Sequence, residues 1–206
     1  MATGGTLITE AQFNTHYIQR LGRYVVHVPK TRTIDNITGE ETLSANESSA
    51  SVILAVFLRL EKKWMFEKAG LIEGGDAYLI SRPVAGVAKD DFIYANGTDL
   101  TITSIDGDAT TITISTSENH GLSVGDKVFV GGTTNYDALY TVASTPTATQ
   151  FTITDASHDL AAETSGIVTK GFDSFIIKNH IERYGKFGSA PEKVYDYSNL
   201  FLHGDV

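Results

Sequence analysis

Asp91-Phe92-Ile93-Tyr94-Ala95-Asn96-Gly97-Thr98 is the stretch on which the reading of this chain turns. Phe92 to Ala95 make a short apolar strand, and an Asn-Gly pair after a strand is a strong local signal for a tight return into an antiparallel partner. No strand of matching character follows at once. The next one begins only at Phe175-Ile176-Ile177. What lies between, residues 100–170, has a different composition. It holds 16 threonines, and eight acidic residues (Asp106, Asp108, Glu118, Asp126, Asp137, Asp155, Asp159, Glu163) against two lysines (Lys127, Lys170), which leaves −6 of the chain's net −9. The flanks carry nearly all the Arg and Lys, the single Trp and most of the aromatics. A chain that leaves one composition and returns to it carries an insertion at a surface turn, where a host fold tolerates one. The expectation is a domain made of residues 1–99 plus 171–206, interrupted by a second domain at 100–170.

Inside the insertion the hydrophobic period is two. Ile112 and Ile114 alternate with threonines, Val128 and Val130 flank Phe129, and Phe151 and Ile153 alternate with Thr152 and Thr154. Threonine on one face and Ile, Val or Phe on the other suits a half-buried antiparallel sheet. Asp106-Gly107, Gly125-Asp126, Gly131-Gly132 and Thr145-Pro146 read as turns. Five or six short strands of this kind build a small barrel or sandwich.

Outside it, Thr9 and Gln12 form a capping box for a helix over residues 9–21, with Gly22 as its stop. Phe13, Tyr17 and Leu21 recur on one face, with Ile18 beside them. The stripe docks onto the protein's own core or onto a neighbouring subunit. A strand at 24–28 ends at Pro29. Residues 30–50 are polar, with turn chemistry at Asp35-Asn36-Ile37-Thr38-Gly39, and read as a flexible or two-stranded excursion or as a functional loop on a rigid body. Val52 to Leu60 is almost wholly apolar and reads as a strand buried on both faces. A short second helix follows at 61–69 with Trp64, Met65 and Phe66, then strands at 77–81, 91–95, 175–181 and 194–202. A turn is expected at Ser189-Ala190-Pro191. The fold class is therefore mainly β: a small antiparallel β-barrel with an N-terminal helix and a short second helix, interrupted by an inserted all-β domain.

Composition narrows the function. A chain of 206 residues with no cysteine has neither disulfides nor thiolate metal sites. A net charge of −9 argues against gripping a nucleic-acid duplex, whose affinity comes from Lys and Arg. The start of the chain does not read as a secretory signal, and no apolar run is long enough to span a bilayer, so a soluble cytosolic product is expected. No phosphate-binding glycine loop, nucleophile elbow or zinc spacing is present. The histidines are scattered, Asp106-Gly107-Asp108 reads as a turn rather than a calcium loop, and Asp90-Asp91 reads as solvated loop charge. No enzyme, cofactor or metal is expected.

Two stretches carry a resemblance. Asn119-His120-Gly121-Leu122-Ser123-Val124-Gly125-Asp126-Lys127-Val128, followed by Tyr140-Thr141-Val142 and Thr149-Gln150-Phe151-Thr152-Ile153, resembles a small β-module that recurs as an addition in phage virion proteins. Here Leu122 would plug the small core and His120 would hydrogen-bond its turn. The flanks, in the order helix, strand, polar excursion, apolar strand, Lys68-Ala69-Gly70-Leu71-Ile72-Glu73-Gly74-Gly75-Asp76-Ala77 and the hairpin at Asp91 to Thr98, resemble the head-closure (stopper) or head-to-tail connector proteins of long-tailed bacteriophages. A tail-completion or neck adaptor protein is close to the same pattern.

The resemblance implies a ring of identical subunits in the virion neck. A portal or adaptor protein would lie on one face and a tail protein on the other, with packaged DNA passing through the lumen and no membrane involved. It maps the polar excursion onto the loop that faces the channel, which makes Asp35, Asn36, Thr38, Glu40, Glu41, Asn46 and Glu47 the channel-loop candidates. Phe13, Tyr17, Trp64, Met65, Phe66, Tyr195, Tyr197 and Phe201 are the subunit-interface candidates, because aromatics and Met are enriched at interfaces. The rival readings are a tail-terminator protein, a virion-surface binding protein whose inserted domain contacts host or neighbouring virion proteins, and a cell-wall hydrolase.

Overall fold

The computed structural model describes residues 17–59, 76–82, 87–108, 110–155, 160–187 and 190–205; over 183–205 it describes the backbone path and the side chains of Ser198, Leu200 and Phe201. The helix expected at 61–69, with Trp64, Met65 and Phe66, lies outside the described residues, as do residues 9–16 of the helix expected at 9–21, including Phe13.

A short helical turn, α1 (Gln19–Leu21), ends at Gly22, whose N–H donates to the Ile18 carbonyl. A Cβ on Gly22 would sit 2.2 Å from that carbonyl oxygen, so the sharp exit requires glycine. The docking face differs from the stripe read in the sequence. Ile18 is fully buried against Val56, whereas Tyr17 and Leu21 are 46% and 65% exposed.

Fourteen strands follow among the described residues, in chain order: β1 (Arg23–Val28), β2 (Lys30–Ile34), β3 (Glu41–Ala45), β4 (Ser51–Arg59), β5 (Ala77–Ser81), β6 (Phe92–Ala95), β7 (Thr98–Asp108), β8 (Thr111–Thr116), β9 (Lys127–Gly131), β10 (Ala138–Thr147), β11 (Gln150–Thr154), β12 (Ile167–Lys170), β13 (Asp173–Phe187) and β14 (Ala190–Asp205). They form two closed, wholly antiparallel six-stranded barrels and one hairpin. The first barrel runs β1-β4-β5-β14-β13-β6 and the second β10-β11-β8-β7-β12-β9, while β2 and β3 pair only with each other. Closure removes the exposed edges that short Thr- and Val-rich strands would otherwise offer for aggregation.

The sequence pattern explains both interiors. Leu79, Ile93, Phe175, Ile177 and Leu200 fill the first barrel, with Phe57 packed edge-on to Phe175. Ile112, Ile114, Val128, Val130, Phe151, Ile153 and Val168 fill the second. Leu122 enters that second core from the β8–β9 loop. Tyr136 is fully buried, and its hydroxyl donates to the Leu160 and Ala161 carbonyls, which satisfies the one polar atom the ring brings inside.

Several expected turns move. Gly107 is a strand residue opposite Ile112, so β7 runs on past Asp106-Gly107. Pro146 lies within β10 at a register shift between Ser144 and Thr147, where a missing N–H is tolerated. Phe187 pairs with Ala190 and Lys186 with Pro191, so the final hairpin turns before Ala190.

The seam at Asn96-Gly97 is where the barrels join. Phe92 to Ala95 do find their partner in Asp173 to Ile176. Between these strands the chain leaves at Asn96-Gly97 and returns through Gly171-Phe172, with Thr98 opposite Lys170. A Cβ on Gly97 would sit 2.6 Å from the Lys170 carbonyl oxygen, so the outgoing and returning segments pass at glycine distance. The Asp173 carboxylate accepts hydrogen bonds from Asn96 and Arg59, and Thr169 donates to Asp99. Among the described residues no helix is long and apolar enough to cross a membrane.

Candidate functional site

The hairpin β2–β3 stands on the first barrel with every residue from 31 to 42 exposed. Its register is regular, from Lys30 opposite Ala45 to Ile34 opposite Glu41. At the tip Asp35 folds the turn: one carboxylate oxygen accepts the N–H groups of Ile37 and Thr38, and Gly39 takes the left-handed conformation at φ 72° that closes it. Those two backbone donors, that of Thr38 first, hold the Asp35 carboxyl below its ordinary value. Ile37 is 95% exposed at the tip, and Arg32 donates to Glu41 across the strands.

The base of the hairpin is pinned at two points that no local motif announces. The first is Asp91. Far from being a solvated loop charge, it is 3% exposed. Its carboxylate accepts from His27 Nε2 at 2.9 Å, from the Lys30 backbone N–H at 3.1 Å and from the Ala88 N–H at 2.9 Å. A buried carboxylate is tolerated only when so satisfied. One side chain thus holds β1, the first residue of β2 and the loop before β6.

The second point is Glu47, in the 3-10 turn Glu47–Ser49 that follows β3. Its Oε1 accepts from Tyr94 Oη at 2.7 Å and from Lys127 Nζ at 2.6 Å. Tyr94 belongs to the first barrel and Lys127 to the second, so Glu47 ties hairpin, host barrel and inserted barrel together. Partial burial raises its carboxyl pKa, but the bonds from Lys127 and Tyr94 and the lysine charge outweigh that, and the net shift is downward. Burial, and then the Glu47 carboxylate, push the Tyr94 phenol upward.

Around Glu47 the barrels meet through apolar packing. Phe129 points away from its own barrel's core and packs with Phe172 and Tyr94. Tyr24 of β1 lies on Gly131 and Gly132, where a Cβ would come within 2.7–3.0 Å of the ring. The glycine pair is a seat for an aromatic ring as much as a turn.

The candidates of the sequence reading therefore separate. Asp35, Asn36, Thr38, Glu40 and Glu41 are brought together on the exposed hairpin. Asn46 and Glu47 are not lining residues of that hairpin: Asn46 bonds Ser48 and Ser49 within the turn, and Glu47 is engaged at the barrel junction. Phe201 is partly buried against the aromatic cluster. Tyr195 and Tyr197 are placed in β14 opposite Arg183 and Ile181. Tyr94, Lys127, His27 and Asp91 escaped sequence reasoning because the side chains they pair with lie 47 to 80 residues away in the chain.

His120 behaves as a turn hydrogen-bonder. Its Nδ1 accepts the Leu122 N–H, and its Nε2–H faces the Thr147 and Gln150 carbonyls, which assigns the Nε2–H tautomer. Among the described residues no group of three or more His, Asp or Glu side chains is placed to hold a metal ion.

No protein-family model matches the chain, and no curated protein matches it.

Proposed function

We propose that this chain is a structural virion protein of a tailed phage, a ring subunit of the neck that joins the head or portal to the tail and helps retain packaged DNA. The observation that supports this reading most is the hairpin β2–β3: a polar two-stranded finger held at its base by buried Asp91 and by Glu47, and exposed at every residue from 31 to 42. A two-stranded hairpin alone is marginal in water. One that is rooted this firmly yet covered by nothing among the described residues has the form of an element made to act outside its own chain. In a ring, such fingers would converge on the lumen. Glu40, Glu41 and the polar tip would face DNA without holding it, since carboxylates repel phosphate. A cyclic ring needs two different sticky sides on each subunit, and the sequence order that resembles connector proteins supplies the remaining support.

Native mass spectrometry and negative-stain imaging of the purified protein, together with imaging of virion necks labelled through the hairpin, test the proposal. A closed ring with label at the neck is expected. A strictly monomeric protein, absent from virion necks, would overturn it.

A further inference from the structure

A cleft of about 480 Å³ opens on the inserted barrel beside the junction, lined in part by Thr98, Gly121, Gly125, Asp126, Lys127 and Lys170. Its size falls within the roughly 300–1,000 Å³ of small-ligand sites. The segment 100–170 contains eight carboxylates and only two cationic side chains, Lys127 and Lys170. They lie in strands far apart in sequence, yet both line this one cleft. In a barrel of this charge, that convergence marks the cleft as the place where an anion is favoured.

The two amines are held differently. Lys170 Nζ donates to the His120 carbonyl and has no carboxylate partner among the described residues. An ammonium has three donors, so two remain for a ligand. Lys127 Nζ is paired with Glu47, a carboxylate that comes from outside the inserted barrel. Glu47 thus competes for the Lys127 ammonium with any anionic ligand of the cleft. The wall between them is bare. Gly121 and Gly125 adopt left-handed conformations at φ 57° and 94°, and at Gly125 a side chain would meet nothing within 4 Å.

We propose that this cleft binds a phosphate monoester carried on a neutral, hydroxyl-bearing scaffold such as a polyol or sugar, with Lys170 and Lys127 holding the phosphoryl group and Thr98 and Asp126 facing the scaffold. Its described lining residues include no guanidinium fork for planar carboxylate recognition; two ammonium point charges suit a compact dianion. One Asp126 oxygen is used by the Ser123 N–H, which leaves the other to accept a hydroxyl. The same carboxylate and the acidic barrel around it disfavour a polyanion such as nucleic acid. The proposal does not depend on ring assembly.

The test is an amide NMR titration of the full-length protein with α-glycerol phosphate, inorganic phosphate, glycerol, acetate and an oligothymidylate, repeated on Lys170→Gln, Lys170→Arg, Lys127→Gln and Glu47→Gln. Saturable shifts at Gly121, Gly125 and Lys170 with α-glycerol phosphate are expected, and none with glycerol or acetate. Losing one charged donor should weaken binding about tenfold in Lys170→Gln and Lys127→Gln, while Lys170→Arg retains most of it. Glu47→Gln removes the competing carboxylate and should tighten binding, an outcome a purely structural role for Glu47 does not produce. Absence of saturable shifts, equal binding by Lys170→Gln, or weaker binding by Glu47→Gln would overturn the proposal. Inorganic phosphate binding as tightly as α-glycerol phosphate would overturn the scaffold contact, and tighter binding of the oligothymidylate would make the site a nucleic-acid contact instead.

Discussion

The ring of Tyr24 rests on the backbone of Gly131, so close that a methyl group there would lie 2.7 Å from its Cγ. The first strand of one barrel is thereby locked to the last residue of a strand in the other. Gly131→Ala forces Tyr24 or β9 to shift and should cost about 1–3 kcal/mol, the range for overpacking a fitted contact. Chemical denaturation measures it. Tyr24→Ala in the same chain should absorb most of the penalty, and a double-mutant cycle giving strict additivity would show that the two residues do not oppose each other.

Phe129 is the apolar pin of the same junction, packed against Phe172 with the rings tilted at 49°, and fully buried. Phe129→Ala leaves a cavity between the barrels and should lose about 3–5 kcal/mol. Because the cavity lies outside both barrel interiors, calorimetry should then resolve two separate barrel transitions, against a single expected transition for the parent.

Asp91 supports three donors with one buried carboxylate. Asp91→Ala strands the His27 ring and two backbone N–H groups, and should cost about 1–3 kcal/mol for each buried donor left unsatisfied. Limited proteolysis should then cut at residues 30–45 faster than in the parent. An unchanged cleavage rate would mean that Asp91 does not root the hairpin.

Glu47 makes stability pH-dependent in a definite direction. Its folded pKa lies below the ordinary 4.5, so the carboxylate form is favoured by folding. Its contribution is fully present above pH 4.5 and is lost as pH falls through the lower folded value. The pair with Lys127 is about one-third exposed, so the contribution is no more than about 1 kcal/mol. The difference in melting temperature between the parent and Glu47→Gln should therefore shrink as pH drops below 4.5.

The hairpin tip touches no core. Replacing residues 35–40 by Asn-Gly keeps Ile34 opposite Glu41 and should leave the melting temperature unchanged. Under the proposed neck role, particles carrying this change should assemble but release DNA at lower heat or osmotic shock. Normal retention would count against a channel function for the hairpin.

Much of this fold was legible in local pattern. The period-two alternation of Ile112, Ile114, Phe151 and Ile153 places all four in one core, and the Asn96-Gly97 signal marks where β6 loses its neighbour in sequence. These readings work because side-chain direction in a strand is set by the backbone alone. Local pattern misled where context changes a residue's meaning. Gly107 and Pro146 look like turn residues yet lie in strands, since a closing barrel bends its strands through such positions.

The candidate site was half legible. Asp35 to Gly39 dictates its own turn by hydrogen bonds two and three residues long, so Asp35, Asn36, Thr38, Glu40 and Glu41 could be grouped without coordinates. The roles of Glu47, Asp91, Lys127 and Tyr94 could not, because nothing in the spacing of these residues marks partners so distant in the chain. The linear chain determined which segments are strands, which faces are apolar and where one composition interrupts another, since those depend on neighbours two residues away. Only the closed barrels decided which charges meet, which carboxylate is buried and which two lysines share a cleft, since ring closure sets the distance between residues that the backbone keeps far apart.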